Sequence, residues 1–240
     1  SRLAVKTFIR TMGRPYIPGS SVKGAIRTAL VARRASPSML QDAQALERQA
    51  LNYRSPNTDP LRALKISDSL DDGLYTQVNV CGLFSRGSKG PRMYVECTGS
   101  LISGRHASSR HELCVDDMLQ SDERAGLGLR VNIEELVSAC RMFYKKVLDA
   151  EMEFLRQSGR HDVLKACDML VERERSLGER GTLLRFGWGS GYDSVTLNLL
   201  RPSPRRVASR RLVEDIYPMG WAELRIEEVA DRCSQASQSS

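Results

Sequence analysis

One stretch near the start of the chain, Gly13 to Arg34 (GRPYIPGSSVKGAIRTALVARR), narrows the available folds more than any other. Pro15 and Pro18 impose an extended approach and disfavour helix at the residues before them. Gly19 then permits a sharp turn. Ser20 and Ser21 are both good N-cap residues, with hydroxyls able to accept a hydrogen bond from an early helical N–H. Val22, Ile26, Ala29 and Leu30 fall on one helical face, with Arg33 at its far end. Lys23, Arg27 and Arg34 share a different face. The stretch predicts a glycine turn feeding a helix whose first turn carries free N–H groups and a lysine, an arrangement suited to phosphate. The plainer reading of the same letters is a capped helix. A Walker A loop matches poorly, because the order here is Lys23-Gly24-Ala25 rather than Gly-Lys-Ser/Thr, so nucleotide hydrolysis is disfavoured.

Charge points the same way. The net charge of +7 is concentrated in two segments. Residues 1–41 hold eight Lys/Arg and no acid, and residues 180–211 hold seven arginines against Asp193 alone. Basic charge gathered around glycine-containing motifs suits a groove that follows a phosphate backbone; the alternative is a solvated basic face without a ligand. With 240 residues the chain has length for one large or two small domains. No apolar run reaches membrane-spanning length and no signal-peptide pattern is visible. Six scattered cysteines without C-x-x-C pairing fit a reducing, cytoplasmic compartment. Cys97, His106, His111 and Cys114 are too irregularly spaced to predict a metal site, and no cofactor is expected. The chain starts at Ser1 in what reads as a strand, so an N-terminal strand is expected to be missing upstream.

Hydropathy patterning predicts a strand or short element over Leu3–Thr11 leading into the Pro turn, a second helix over Met39–Tyr53, and a strand within Leu61–Leu70 closed by Asp68. Two strands follow, Val78–Phe84 and Met93–Leu101, joined by a hairpin loop over Arg86–Pro91. Asp116–Gly128 reads as a turn-rich connector, with Leu129–Val131 at most a very short strand. Ile133–Gln157 is the longest helix, capped by Asn132, with Glu134 and Glu135 set favourably in its first turn. Its wide apolar stripe from Leu136 to Leu155 is core. A further helix over Asp162–Leu177 ends at Gly178. Thr182–Phe186 is β-prone, Ser194–Leu200 alternates, Arg201–Arg211 reads as a basic loop, and Trp221–Val229 as a last strand. Residues 234–240 read as a disordered tail. Hairpins mixed with helices favour an α+β sandwich over a doubly wound sheet.

A second motif, RFGWGSGYDSV (Arg185–Val195), sets Gly187, Gly189 and Gly191 at alternate positions. Alternating glycines let a backbone approach a ligand closely and present unobstructed N–H groups. Trp188 and Tyr192 could stack on bases and Arg185 could pair with phosphate. Hairpins and kinked strands give the same letters. The motif is not expected to open a helix, which argues against a dinucleotide fingerprint.

Together PYIPGSSVKGAIRTAL (Pro15–Leu30), LKISDS (Leu64–Ser69), YVEC (Tyr94–Cys97), RFGWGSGYDS and YPMGWAEL (Tyr217–Leu224) resemble, in this order, the RAMP superfamily of CRISPR proteins. Within it the likeness is to the subunit-five family of the type III-A Csm effector complex. The resemblance implies a ferredoxin-like (RRM-like) fold with helical insertions and a glycine-rich loop. It would span 1–233, as one RAMP domain or as two halves near 1–132 and 133–233. It implies a subunit that caps the 3′ region of the CRISPR RNA, engages target single-stranded RNA, and sits beside the backbone RAMP subunit and the small subunit. By motif position, Gly19, Ser20, Ser21, Lys23 and Arg27 would face guide-RNA phosphate, with Arg14 just before them. Arg185, Gly187, Trp188, Gly189, Gly191 and Tyr192 would form the loop near RNA or a neighbouring subunit. The family's usual first strand and the loop after it, which carry further guide contacts, are expected to be missing upstream of Leu3.

Such a subunit is expected not to cut RNA itself. The rival reading is a RAMP-type endoribonuclease, with His106 or His111 as base toward a 2′-hydroxyl. A metal-dependent cut at Asp68, Asp71 or Asp72 is a weaker option, since Asp68 reads better as a cap. A scaffold without nucleic-acid contact is the third.

Overall fold

The computed structural model describes residues 4–69, 73–86, 88–99 and 107–228. His106, Asp71, Asp72, Cys233 and the tail from 234 lie outside the described residues.

The chain opens with three two-residue strands, β1 (Val5–Lys6), β2 (Arg10–Thr11) and β3 (Arg14–Pro15). β2 and β3 pair as a hairpin whose two turn residues, Met12 and Gly13, both have positive φ, as the right-handed strand twist prefers. The expected strand or short element over Leu3–Thr11 is thus broken in two. Helix α1 (Gly19–Arg34) follows as expected. The second expected helix is interrupted: a 3₁₀ turn at Met39–Gln41 precedes α2 (Ala43–Ala50). β4 (Leu64–Ile66) pairs antiparallel with β7 (Leu113–Val115). Between them, β5 (Gln77–Ser85) and β6 (Ser88–Cys97) make a hairpin tighter than the expected Arg86–Pro91 loop, with Ser85 opposite Ser88.

The connector holds a short helix, α3 (Asp117–Ser121), and a 3₁₀ turn, and no strand forms at 129–131. α4 (Ile133–Gln157) has the expected limits, and the Asn132 side chain accepts from the Glu135 N–H at 2.7 Å. α5 (His161–Ser176) and β8 (Gly181–Arg185) follow. The glycine motif then does open a helix, the single turn α6 (Tyr192–Val195), and Ser194–Leu200 is helical turns rather than a strand. The expected basic loop is cut short by β9 (Ser209–Val213). β10 (Tyr217–Pro218) and β11 (Trp221–Arg225) complete the chain.

Five strands form one mixed sheet in the order β1-β6-β5-β9-β10, in which β1 is parallel to β6 and the other pairs are antiparallel. The sheet draws strands from both sides of residue 132. β8 and β11 form a separate antiparallel pair. Two hydrophobic clusters hold these layers together. One joins α1, α2 and the first part of α4, with Phe143 and Tyr144 buried in edge-to-face contact at 5.0 Å and the Tyr144 hydroxyl donating to the Ala25 carbonyl. The other packs the end of α4 and α5 against Leu183 of β8 and Leu212 of β9. Leu212 faces the helices, so its neighbour Arg211 points to the opposite face of the sheet, since successive strand residues alternate.

Candidate nucleic-acid interface

The first motif is built around a main-chain contact. Gly19 is the first residue of α1, and its N–H donates to Asp68 Oδ1 at 2.8 Å. The segments cross closely enough that a Cβ on Gly19 would lie 2.3 Å from the carbonyl oxygens of Ile66 and Ser67. Ile17 and Ser69 exchange two further bonds, through the Ile17 N–H to the Ser69 hydroxyl and the Ser69 N–H to the Ile17 carbonyl, both at 3.0 Å. Ser20 and Ser21 therefore do not cap the helix; Pro18 takes the N-cap position and makes no side-chain bond. The anion place expected there is filled by a carboxylate of the chain itself.

The basic residues of this helix are likewise engaged. Lys23 is half-buried and donates from Nζ to the Leu64 carbonyl at 2.7 Å; burial pulls its pKa down, against the opposing pull of Asp59. Arg27 bonds Asp59 at 2.7 Å, Glu47 at 3.0 Å and the Tyr53 hydroxyl at 3.1 Å. Burial works to lower its pKa, but the Asp59 hydrogen bond and charge outweigh this and raise it. Arg14 is exposed in the β2–β3 hairpin.

Around the second motif the interior and the surface divide sharply. Arg185 is only 2% exposed, so the expected phosphate contact gives way to a structural one. Its guanidinium bonds both oxygens of Glu151, at 3.1 and 3.3 Å, and its Nε donates to the Met219 carbonyl. Arg210 Nε reaches the same carboxylate at 2.5 Å, and its other end lies 3.7 Å from Asp193. The glycine turn between residues 186 and 192 is thus fixed at both ends by one buried ionic network. Burial alone would raise the Glu151 pKa, but the two guanidiniums hold it below the ordinary glutamate value.

Gly187, Gly189 and Gly191 all have positive φ, between 83 and 89°. Trp188 and Tyr192 remain exposed at the surface. Trp188 is flanked by two cations, Lys6 Nζ at 5.0 Å and the Arg211 guanidinium at 4.5 Å from the ring centre. Arg205 stands 5.9 Å over Tyr192. The turn lies over the sheet face opposite α4 and α5: Gly189 packs on Met219, whose Sδ is 3.5 Å from Cys81 Sγ of β5.

α1 packs against α6, and Val22, Ile26, Leu184, Phe186 and Leu197 belong to one hydrophobic cluster, so both motifs share a core. The cations beside the aromatic rings come from elsewhere, namely the exposed Lys6 and Arg205 and the half-buried Arg211. These three were missed in sequence, although Lys6 and Arg211 each occupy an alternating strand position that could have marked them. His111 has both ring nitrogens within hydrogen-bonding distance of a neighbour. Its Nδ1 is 2.8 Å from the Ser67 carbonyl and its Nε2 is 3.2 Å from the Ser109 hydroxyl. Among the described residues no group of His, Cys, Asp and Glu is arranged to hold a metal ion, and no helix is long and apolar enough to cross a membrane.

Comparison with curated proteins gives no match. Among solved structures, the fold is similar to a chain of a Csm-crRNA-target RNA ternary complex of a type III-A CRISPR-Cas system. The TM-score is 0.66 at 23% identity, over 93% of this chain and 76% of that one. It is also similar to Csm5 of T. onnurineus, with a TM-score of 0.64 at 25% identity, over 90% of this chain and 73% of that one. The family model of the RAMP superfamily matches residues 4–192, from the first strand through the glycine turn. The chain belongs to the RAMP superfamily.

Proposed function

We propose that the chain is an RNA-binding subunit of a type III-A CRISPR ribonucleoprotein, one that holds the 3′ region of the CRISPR RNA and cuts no RNA itself. In that role it supports CRISPR RNA maturation and target-RNA interference, with a backbone RAMP subunit, the small subunit and target single-stranded RNA as partners. The observation that carries this reading is Trp188, an exposed ring between Lys6 and Arg211 on an open glycine turn. An aromatic platform beside cations suits a stacked base and its phosphate, without sequence preference. A ferredoxin-like (RRM-like) reading of the fold, with 187–191 as its glycine-rich loop, is supported by the antiparallel run β6-β5-β9 backed by α4 and α5.

Fluorescence anisotropy with labelled oligouridine at several salt concentrations tests it. Affinity should fall steeply with salt. Lys6→Ala with Arg211→Ala should flatten the log–log slope by about 1 to 1.5, since each lost phosphate contact on a single strand removes about 0.7. Absence of binding at low salt would overturn the reading, and so would RNA cleavage that disappears in His111→Ala. Crosslinking of Trp188 to the guide's 5′ end rather than its 3′ region would overturn its placement.

A further inference from the structure

The segment that leaves the glycine turn has a construction that its contacts within the chain do not explain. It reads Arg201-Pro202-Ser203-Pro204-Arg205-Arg206, and all six residues are exposed. Two prolines in three positions fix φ and favour an extended, stiff backbone. One end of this strap is clamped from inside. Asn198, 2% exposed, donates from Nδ2 to Asp193 Oδ1 at 2.7 Å and to the Arg205 carbonyl at 2.9 Å, while its Oδ1 accepts from the Arg205 N–H at 2.7 Å. Asp193 in turn meets Arg210, and Arg210 meets Glu151. A run of prolines and arginines is thereby tied to the buried ionic network.

The arginines of the strap are also uncompensated. Some exposed or half-exposed arginines of this chain find acids, as Arg27, Arg34 and Arg92 do with Asp59, Glu135 and Asp215; those of the strap do not. Arg201 and Arg206 make no ion pair or side-chain hydrogen bond among the described residues, and the Arg205 guanidinium stands over the Tyr192 ring. Three cations held close together without acids repel one another, and an anionic ligand relieves that repulsion.

We infer that the strap is a second ledge for the phosphodiester backbone of single-stranded RNA, continuing from Trp188 past Tyr192 along Arg205, Arg206 and Arg201. Arg205 then serves two neighbours, the Tyr192 ring on one side and a phosphate on the other. Asn198 is a positioning residue, acting through the Arg205 backbone. This rests on the proposal that the chain binds RNA.

The test uses the full chain and fluorescein-labelled 20-nucleotide oligouridine, titrated across KCl concentrations. Three proteins are compared: wild type, the strap variant Arg201→Gln/Arg205→Gln/Arg206→Gln, and a control of equal charge loss on exposed α4 positions, Lys145→Gln/Lys146→Gln/Arg156→Gln. The strap variant should lose about 2 from the log–log salt slope, three contacts at about 0.7 each, and bind about tenfold or more weakly near 0.15 M salt. The control should keep the wild-type slope. In Asn198→Ala, amide exchange at Arg205 should speed up and 20-mer affinity should fall, with the slope reduced in part. A strap variant with the wild-type slope, or one no different from the control, overturns the ledge while leaving RNA binding intact. An unchanged slope combined with lost assembly into a ribonucleoprotein would assign the strap to a protein partner and also overturn it. A wild type that binds no RNA overturns both proposals.

Discussion

The Gly19 N–H donates to the Asp68 carboxylate at 2.8 Å, so the first helix is capped by a residue 49 positions further along the chain. This is a tertiary cap, and it joins the two stretches PGSS and SDS into one joint. The absence of a Cβ on Gly19 lets the main chains cross. Gly19→Ala would place a methyl group 2.3 Å from two backbone oxygens, which cannot rotate away. It should cost about 3 kcal/mol. Asp68→Ala should cost about 1 kcal/mol, with Asp68→Asn recovering most of that. Denaturant midpoints measure all three.

Within the glycine turn the cost of substitution has a different origin. Gly187 has a φ of +83° and open space around it, so Gly187→Ala pays only the left-handed backbone penalty, about 1–2 kcal/mol. Gly189→Ala adds a contact at 2.8 Å with the Met219 sulfur and should be the more damaging of the two by thermal melting.

Glu151 pairs with two buried guanidiniums, and removing its charge leaves Arg185 without an acid and Arg210 with Asp193 alone. Glu151→Gln should destabilise the fold by about 3 kcal/mol or more. The sign of the pH dependence follows from the lowered pKa. The stabilisation is present above the unfolded glutamate value of about 4.3 and is lost as pH falls through the folded one. Urea unfolding from pH 7 to pH 3 should therefore show a larger acid-side loss in the wild type than in Glu151→Gln, where the other carboxylates with lowered pKa, Glu96, Asp116 and Asp162, still contribute.

The cysteines should separate by reactivity. Burial pushes the thiols of Cys140 and Cys167 up to about 12 and that of Cys97 up to about 11, while Cys114 is exposed on β7. Iodoacetamide at pH 8 should modify Cys114 first among the described cysteines. Cys140 and Cys167 should react only as fast as the protein unfolds, as peptide mapping by mass spectrometry will show.

On α4, Phe143 is 1% exposed and Met142 beside it is 37% exposed. Phe143→Ala should cost about 3–5 kcal/mol, and Met142→Ala about 1 kcal/mol or less. Comparison of the two melting temperatures checks the assignment of the buried stripe.

Elements whose stability is local were legible in the sequence. α4 has both a periodic apolar stripe and a side-chain cap one residue before it, so its limits agree with expectation. α1 was legible for the same reason, but its cap was not, because the acceptor arrives from β4's far end. β9 was hidden in an arginine run. Arg210 looks like loop chemistry until Glu151, 59 residues earlier, is known to receive it. The same long-range pairing turned Arg185 from a surface candidate into an interior one. Trp188 and Tyr192 were picked out from their glycine neighbours, whereas Lys6 and Arg211 come from strands distant in sequence and meet the Trp188 ring only after the sheet has formed.

Because one carboxylate on α4 settles where the glycine turn begins and where it returns, the reach of that turn is separable from its stance. An exchange at the exposed Trp188 would change what the tip can touch while Arg185 and Asp193 stay put. The turn is a natural graft point, at which the surface of the tip can be altered without redesigning the body beneath.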